Sequence, residues 1–439
     1  MTNPIHFTTP DEAVKVIKSG DHVHLSSVAS APQCLINAMC RRGEAGELKN
    51  VHIHHLHTEG PAPYADPKFE GVFQLDSFFV GSNVRKVTQS GDADYIPVFL
   101  SETQKLYRCG AVPCNVAMIQ VCPPDKHGYV SLGTSVDATL AAVECADYVI
   151  AVVNKHVPRA FGQAMIPMSK IDIFVEDDTP LIEAKFSEPN EVEKAIGRHC
   201  AALIEDGATL QMGIGAIPNA VLSQLGNHKN LGVHTEMFAD GVLPLVAKGV
   251  INGEAKKTDP GKMVSTFLMG SQAVYDFIDD NPGVLMMDVG YTNDPYVISQ
   301  NDNFVAINSA LQIDLTGQVC ADSLGTKFWS GAGGQIDFVY GASLSKGGKA
   351  IIAMPAITNK GVSKICPTLL DGAGVVTTRF HVHWVVTEFG AVDLYGKSMQ
   401  ERARLLISIA HPSAQEELDR AAFERWGSHH HYIKSYMGK

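Results

Sequence analysis

Apolar and polar positions alternate in a way that predicts helices and strands along the whole chain. Residues 11–18 carry apolar side chains at helical spacing after a candidate cap at Thr8 or Thr9. Two later segments have the pattern of amphipathic helices, namely Glu191–Asp206 and Ser398–Ala410. Short runs typical of strands lie at His22–Leu25, Val116–Val121, Tyr148–Val153, Leu285–Asp288 and Ala350–Met354. Because strands and helices alternate, the sequence predicts an α/β protein with parallel or mixed sheets.

The two halves of the chain share a diffuse internal repeat. Gly20 and Pro32 in the first half correspond to Gly207 and Pro218 in the second, and each stretch is followed by a helix and a His-bearing strand. We therefore predict two similar α/β domains, at 1–190 and 191–439, joined by the polar, proline-bearing segment at 186–190. A repeat of this kind places the ligand site in the cleft between the halves.

The composition is that of a globular protein and excludes several classes. Apolar residues make up 45% and charged residues 19% of the 439 residues, which excludes a mainly disordered chain. The net charge of −12 lacks the basic footprint of non-specific nucleic-acid binding. The nine cysteines contain no C-x-x-C pair, so neither a disulfide framework nor a zinc ribbon is indicated. Without a secretory signal or a membrane-length apolar run, we expect a cytoplasmic protein with no nucleic-acid or membrane partner.

A glycine-bearing turn at Gly213–Ile217 is the most informative local feature. It follows a predicted strand at 208–212 and opens a predicted helix at Asn219–Leu225. Glycines at such a junction let backbone N–H groups approach a phosphate, although the same turn also serves packing alone. The third glycine of a dinucleotide-binding fingerprint is missing, because Asn219 stands near its place.

A lone carboxylate and a second glycine-rich loop are further candidates. Glu236 comes just past a predicted strand at 231–233, and the carboxyl ends of strands are where α/β sheets place ligands. This residue type suits a nucleophile, a general base or a metal ligand, and equally a solvated loop position. The segment at 330–338 has three glycines in four residues, Gly331, Gly333 and Gly334, which permits close backbone contact with a ligand or forms a tight structural turn.

Histidines are concentrated in one predicted strand and at the C-terminal end. Alternation places His52 and His54 on one face of the strand and His55 and His57 on the other. No acidic or cysteine partner is spaced to complete a metal site, so we interpret the cluster as packing or site lining. The segment at 428–431 is interpreted as a solvated tail, and no metal is expected.

Six segments in a fixed order resemble the acetyl-CoA hydrolase/transferase family. They are GIGAIPNAVLSQL (213–225), HTEMFADGV (234–242), INSALQIDLTGQV (307–319), SGAGGQIDFVYGA (330–342), VVTEFGAVDLYGKS (385–398) and RARLLISIAHP (402–412). The resemblance covers essentially the whole chain. Within the family it is strongest to 4-hydroxybutyrate CoA-transferases, followed by butyryl-CoA:acetate CoA-transferases.

The resemblance implies a class I CoA-transferase of the NagB/RpiA/CoA-transferase-like fold, with the active site between two similar α/β domains. The nucleophile role falls on Glu236, and further active-site positions fall on Asn293 and Glu388. The coenzyme A loop falls on Gly213, Ile214, Gly215, Ala216 and Ile217, with a second contact at Gly331, Gly333 and Gly334 and a lysine at or near Lys360. The implied partners are an acyl-CoA and a short-chain carboxylic acid, and relatives imply a homodimer or homotetramer.

The function class stays open at this point in several respects. A thioesterase of the same family would carry the same motifs. A non-catalytic CoA-binding regulator would not need a carboxylate in a cleft, so the presence of Glu236 alone disfavours that class. A nucleotide-dependent dehydrogenase fits poorly, since neither half supplies the full glycine pattern. The acid, whether 4-hydroxybutyrate, butyrate, propionate or acetate, is not decided by the sequence.

Overall fold

The computed structural model describes residues 5–427 and shows one large, mainly parallel sheet in each half of the chain. Strands in the first half are β1 (Phe7–Thr8), β2 (His22–Leu25), β3 (Val51–His54), β4 (Phe73–Ser77), β5 (Asp94–Tyr95), β6 (Val116–Val121), β7 (Tyr129–Ser131), β8 (Tyr148–Val153), β9 (Phe161–Gly162), β10 (Met165–Pro167) and β11 (Ile173–Glu176). Eight of them form a parallel sheet in the order β1-β11-β8-β6-β2-β3-β4-β5.

The second half contains a six-stranded sheet and several short pairings. Its strands are β12 (Thr209–Met212), β13 (Gly232–Val233), β14 (Met237–Phe238), β15 (Met263–Ser265), β16 (Phe267–Leu268), β17 (Val284–Met286), β18 (Phe304–Asn308), β19 (Gln312–Asp314), β20 (Val319–Cys320), β21 (Ser323–Leu324), β22 (Lys327–Phe328), β23 (Lys349–Ala353), β24 (Ile365–Cys366), β25 (Trp384–Thr387) and β26 (Gly390–Asp393). The main sheet has the order β13-β12-β18-β23-β25-β26 and is parallel except for the last pair.

Helices cover and connect these sheets. The α-helices are α1 (Pro10–Ala13), α2 (Gln33–Glu44), α3 (Arg85–Ser90), α4 (Leu100–Arg108), α5 (Thr139–Cys145), α6 (Glu191–Ala201), α7 (Ala216–Gln224), α8 (Leu243–Ala247), α9 (Gln272–Ile278), α10 (Val289–Thr292), α11 (Pro295–Ser299), α12 (Gln335–Leu344), α13 (Met399–Ser408) and α14 (Pro412–Trp426). Single 3₁₀ turns lie at Val14–Val16, Pro63–Ala65, Pro67–Phe69, Met168–Lys170 and Asp240–Val242. Among the helices of residues 5–427, none combines the length and apolar character that crossing a membrane requires.

The two sheets repeat one topology, which confirms the predicted α/β fold with two similar halves. Strands β3-β2-β6-β8-β11 of the first sheet match β13-β12-β18-β23-β25 of the second in order and direction. The match extends to single hydrogen bonds, because Gly20 donates its N–H to the Lys49 carbonyl at 3.0 Å as Gly207 does to Lys229 at 2.9 Å. The predicted boundary at 190 and 191 lies in the irregular stretch between β11 and α6 and stays a prediction.

Direct contacts join the halves along one seam. Strand β9 of the first half pairs with β17 of the second. Nearby, Val136 donates its N–H to the Thr266 carbonyl at 2.9 Å, and Leu268 donates its N–H to the Thr134 carbonyl at 2.9 Å. One apolar core runs through this seam and includes strand residues of both sheets. The halves are therefore packed together rather than linked by the connecting segment alone.

Several predicted elements match the structure to the residue, and others differ at their ends. The predicted strands at 22–25, 116–121 and 148–153 are confirmed. The strand expected at Leu285–Asp288 ends at Met286, because the Asp288 carboxylate accepts the Gly290 N–H at 2.6 Å and begins α10 instead. The run expected at Ala350–Met354 lies at 349–353.

The predicted helices form, but with different limits. Thr9 caps α1 as expected, yet that helix ends at Ala13 and continues only as a 3₁₀ turn. The helix expected to reach Asp206 ends at Ala201, and the one expected at 398–410 spans 399–408 with Ser398 as its cap. Helix α7 begins three residues before the expected Asn219, since a proline in the first turn loses no intrahelical hydrogen bond.

Candidate active site

Glu236 lies in the short connection between β13 and β14, at the carboxyl end of an edge strand of the second sheet. Its backbone carbonyl accepts three hydrogen bonds from the following strand region. The donors are the Ser265 hydroxyl at 3.0 Å, the Thr266 N–H at 3.1 Å and the Phe267 N–H at 3.2 Å. These bonds fix the backbone of Glu236 and therefore the direction in which its side chain leaves the chain.

The Glu236 carboxylate is held by a side-chain amide and a glycine. Asn293, which follows α10, donates from Nδ2 to Oε2 of Glu236 at 3.2 Å, and the Gly334 N–H donates to the same carboxylate. A Cβ atom added to Gly334 would collide with the Glu236 carboxylate and with the Asn293 amide. The close approach of these three groups therefore requires glycine at position 334.

The electrostatic surroundings make Glu236 an unusually basic carboxylate. The pKa of Glu236 is raised to about 7, chiefly by burial and also by the nearby Asp337 carboxylate, while the hydrogen bonds from Asn293 and Gly334 oppose the shift. Glu236 nevertheless remains partly exposed. A carboxylate of this basicity is a better nucleophile than an ordinary glutamate, and it is half ionised near neutral pH.

A second carboxylate stands behind the first. Asp337, in the first turn of α12, lies 3.3 Å from Nδ2 of Asn293 and accepts the Ser101 N–H at 3.1 Å and the Ser101 hydroxyl at 2.8 Å. Burial raises the pKa of Asp337 to about 6. Asp337 was not among the predicted site residues, although its place in the SGAGGQIDFVYGA segment was an available signal, and nothing in the sequence pointed to Ser101.

The loop at Gly331–Gly334 lies on the seam between the halves. A Cβ atom on Gly331 would approach the Phe79 ring to 2.9 Å and the Tyr95 hydroxyl to 3.1 Å, and the Leu100 N–H donates to the Gly333 carbonyl at 3.0 Å. The structure thus brings together four predicted site residues, namely Glu236, Asn293, Gly333 and Gly334. The first half supplies the aromatic side chains of Phe79 and Tyr95, which were not among the predicted site residues.

The Gly213–Ile217 turn leaves the strand next to the one that precedes Glu236. Gly213 and Ile214 connect β12 to α7, Gly215 caps that helix with a φ of 117°, and Ala216 and Ile217 form its first turn. A Cβ atom at Gly213 or Gly215 meets nothing within 4 Å, so both glycines face open space. The turn is tied to the Glu236 segment because the Thr235 hydroxyl donates to the Met212 carbonyl at 3.0 Å.

Glu388 and Lys360 lie elsewhere on the second sheet. Glu388 follows β25 and accepts the Ala356 N–H at 2.8 Å, while Lys360 is exposed in a turn after β23. Strands β13 and β25 are four positions apart in the sheet, or roughly 19 Å at about 4.8 Å per strand. The contacts of the Glu236 carboxylate thus involve neither residue, and their roles stay predictions.

The predicted histidines pack in two groups, because His52 and His54 lie against His22 and Asp76 while His57 contacts Glu59 at 3.0 Å. His52 and His54 share a face, as expected, and both stack on His22, with ring centroids 4.5 Å and 5.0 Å apart. Asp76, which the sequence pattern did not reveal, contacts His52 at 2.7 Å. Within residues 5–427, no group of three or more His, Cys, Asp or Glu side chains is arranged to hold a metal ion. The expectation for residues 428–431 falls outside the described part of the chain.

Comparison with known proteins identifies the family. The sequence matches the acetyl-CoA hydrolase/transferase N-terminal domain over residues 4–183 and the acetyl-CoA hydrolase/transferase C-terminal domain over residues 270–422. It is 50% identical over 418 residues to the succinyl-CoA:acetate/propanoyl-CoA:succinate CoA transferase of Fasciola hepatica, covering 94% of this chain and 87% of that protein. It is 48% identical over 411 residues to the 4-hydroxybutyrate coenzyme A transferase of Clostridium kluyveri, covering 93% and 95%. The crystal structure of RipA from Yersinia pestis superposes with a TM-score of 0.90 at 36% identity, covering 95% of this chain and 97% of that one. The chain belongs to the acetyl-CoA hydrolase/transferase family.

Proposed function

We propose that this protein is a CoA-transferase that moves coenzyme A between a short-chain acyl-CoA and a free carboxylic acid. The observation that carries the proposal is the partly exposed carboxylate of Glu236, whose pKa is raised to about 7 while Asn293 and Gly334 of the second glycine-rich loop hold it in place. The names of the two relatives at 50% and 48% identity support the reaction class. Those names include acetate, propanoyl, succinyl and 4-hydroxybutyrate groups, so acids of two to four carbons are the proposed substrates.

The proposed chemistry proceeds through covalent intermediates on Glu236. Its carboxylate attacks the thioester carbonyl of the acyl-CoA, which forms a mixed acyl–glutamyl anhydride and expels the CoA thiolate. The thiolate then attacks the glutamyl carbonyl, which forms a glutamyl-CoA thioester and releases the first acid as its carboxylate. The acceptor carboxylate enters and the same steps run in reverse, so that no water is consumed.

The residues around Glu236 suit these steps. When the thiolate attacks the glutamyl carbonyl, the tetrahedral intermediate places negative charge on a glutamyl oxygen, where the Gly334 N–H and the Asn293 amide already donate hydrogen bonds. The open backbone at Gly213 and Gly215 is the proposed contact for CoA, and that remote binding energy can be used at the reacting carbonyl. The seam between the halves limits the access of water to the anhydride and the thioester.

The covalent intermediate can be tested by mass spectrometry. Incubation with acyl-CoA in the absence of an acceptor acid should add the mass of CoA to the protein, and borohydride should then reduce the thioester to an alcohol and inactivate the enzyme. Borohydride alone should have no effect, since it does not reduce a free carboxylate in water. Peptide mapping should place the label on Glu236, and Glu236→Gln should abolish both the label and the transfer.

Glu388→Gln is the matched control, because it removes another candidate carboxylate of the same sheet. A label on Glu388, or full transferase activity in Glu236→Ala, would refute the proposed role of Glu236. The same assay separates transfer from hydrolysis. A transferase should form the thioester of the added acid and release the donor acid without net release of free CoA, whereas steady release of free CoA in the absence of an added acid would identify a thioesterase.

A further inference from the structure

A continuous chain of hydrogen bonds runs from the first half of the protein to the Glu236 carboxylate. Ser101, in the first turn of α4, donates its N–H and its hydroxyl to the two carboxylate oxygens of Asp337. Asp337 is also in contact with Nδ2 of Asn293, and the same Nδ2 donates to Glu236. Four side chains from four separate segments are therefore joined in one line that ends on the proposed nucleophile.

Asp337 does not have the role that its position in the helix would suggest. An acidic residue in the first turn of a helix ordinarily accepts a hydrogen bond from the backbone near the helix start. Here the carboxylate is 4% exposed, and its bonds go to Ser101 of the other half and to Asn293. Its geometry thus serves the neighbouring segments rather than the start of α12.

Asn293 needs an external partner to keep its orientation. Its side chain is fully buried, and its Oδ1 atom has no hydrogen-bond partner among the described residues. The carboxylates of Glu236 and Asp337 lie on the opposite side of the amide from Oδ1. Both can accept a hydrogen bond only from the NH₂ group of Asn293. If Asp337 were removed, rotation about the last side-chain bond could turn Oδ1 toward Glu236, which would replace a donor with a repelling oxygen.

We propose that Asp337 is a positioning residue for the nucleophile, which holds the NH₂ group of Asn293 against Glu236 and anchors this arrangement to the first half through Ser101. The inference rests on the proposed function, because it assigns Glu236 the reacting carboxylate. A second contact supports the anchor, since Leu100 donates its N–H to the carbonyl of Gly333, next to the glycine that contacts Glu236.

Two substitutions of Asp337 separate its shape from its charge. Asp337→Ala removes both the shape and the charge of the side chain. We expect kcat to fall about 10- to 100-fold, because small displacements of reacting groups have effects of this size. The KM for acyl-CoA should change less than about threefold. Asp337→Asn keeps one acceptor for Asn293 and a donor for the Ser101 hydroxyl, so it should restore kcat at pH 8 to within about threefold of the wild type.

The pH profile adds a signature that a purely structural role would not produce. The charged group that faces Glu236 is Asp337, and Glu102 in turn faces Asp337. Because removing a neighbouring negative charge stabilises an ionised carboxylate, the acid limb of kcat/KM should move to lower pH in Asp337→Asn. An unchanged limb would contradict the proposed coupling between the two carboxylates.

Asp240 provides a matched control. It accepts the N–H of Ser271 at 3.0 Å and also the Ser271 hydroxyl, the same pair of bonds that Asp337 receives from Ser101, but its bonds do not involve Asn293. Asp240→Asn should therefore cost comparable thermal stability while leaving the acid limb in place. If Asp240→Asn moved the limb as far as Asp337→Asn, the special role of Asp337 would be refuted.

The outcome for this inference is distinguishable from that of the proposed function. Absence of a CoA label on Glu236 in the wild type would refute the proposed function, whereas a label formed in Asp337→Ala at the wild-type rate would refute only the positioning role. If Asp337→Ala lacks a cooperative thermal transition, Ser101→Ala replaces it. That variant loses one hydrogen bond and should lower kcat about 3- to 10-fold without changing the KM, and a wild-type kcat would again refute the inference.

Discussion

The raised pKa of Glu236 predicts that transfer is lost as the pH falls through neutrality. The nucleophile must be ionised, and the acid limb of kcat/KM for acyl-CoA reports the ionisation of the free enzyme. Burial raises the pKa of this carboxyl from 4.5 to about 7. We therefore expect the acid limb to lie near pH 7 rather than near the ordinary value for a glutamate.

The expected size of the effect follows from the ionised fraction. With a pKa of about 7, the fraction of ionised Glu236 falls about tenfold between pH 8 and pH 6, whereas a glutamate with its ordinary pKa would stay almost fully ionised over that range. The Asn293 hydrogen bond lowers the pKa, so Asn293→Ala should move the limb to higher pH. The two effects have defined signs and can be measured independently.

The assay is the initial rate of transfer at low acyl-CoA, saturating acid and constant ionic strength. The 3′-phosphate of CoA also titrates near pH 6, since a phosphate monoester has a second pKa of about 6. Repeating the series with a dephospho-acyl-CoA removes this group and isolates the ionisation of the enzyme. A rate that stays constant from pH 8 to pH 6 with this substrate would refute the assignment of the raised pKa to the nucleophile.

Three further outcomes follow from the site. Gly213→Val places a side chain into the open space beside the turn, so it should raise the KM for acyl-CoA severalfold without loss of thermal stability, and an unchanged KM would contradict the CoA contact. Gly334→Ala forces Glu236 and Asn293 apart, so kcat should fall about 100-fold, and a kcat near that of the wild type would show that the contact is not needed. Glu236→Gln should stabilise the protein by about 1–3 kcal/mol at pH 8 but not at pH 4. The folded-state pKa of Glu236 is raised from 4.5 to about 7, so its contribution to stability is present below pH 4.5 and is lost as the pH rises through 7. Glutamine does not ionise and therefore avoids this loss. Equal thermal midpoints of Glu236→Gln and the wild type at pH 8 would contradict that last expectation.

The fold was predictable from local pattern, whereas part of the site was not. Buried strands such as Val116–Val121 are continuous apolar runs, so their limits can be predicted without tertiary information. Glu236 was identifiable because it follows a strand end within a recognisable segment. The bond between Ser101 and Asp337 joins residues 236 positions apart, and no local pattern in either segment indicates the other.

The order of strands in the second sheet separates two carboxylates that the sequence could not rank. Glu236 and Glu388 both follow strands of one sheet, and both lie in segments that resemble the family. From the sequence, both are therefore candidate active-site carboxylates. In the structure their strands are four positions apart, and the Glu388 carboxylate binds the Ala356 N–H. The distance between them depends on the order of the strands, which the sequence did not reveal.

The repeated topology also shows why the proposed nucleophile has no counterpart in the first half. Asn50 and Asn230 lie just before equivalent strands and have the same unusual backbone, at φ values of 51° and 55°, and this equivalence places Leu56 where the second half has Glu236. The corresponding turn after β2 carries Ser26 and Ser27 in place of the glycine turn after β12.

The first half therefore lacks both the carboxylate and the open backbone, and it contributes in a different way. Its side chains reach across the seam, where Phe79 and Tyr95 pack on the Gly331 loop and Ser101 binds Asp337. A carboxylate with a pKa near 7 needs surroundings that exclude most water, and one sheet edge cannot provide them alone. Under the proposed function the two similar halves have unequal roles, since the second carries the proposed reacting groups and the first encloses and orients them.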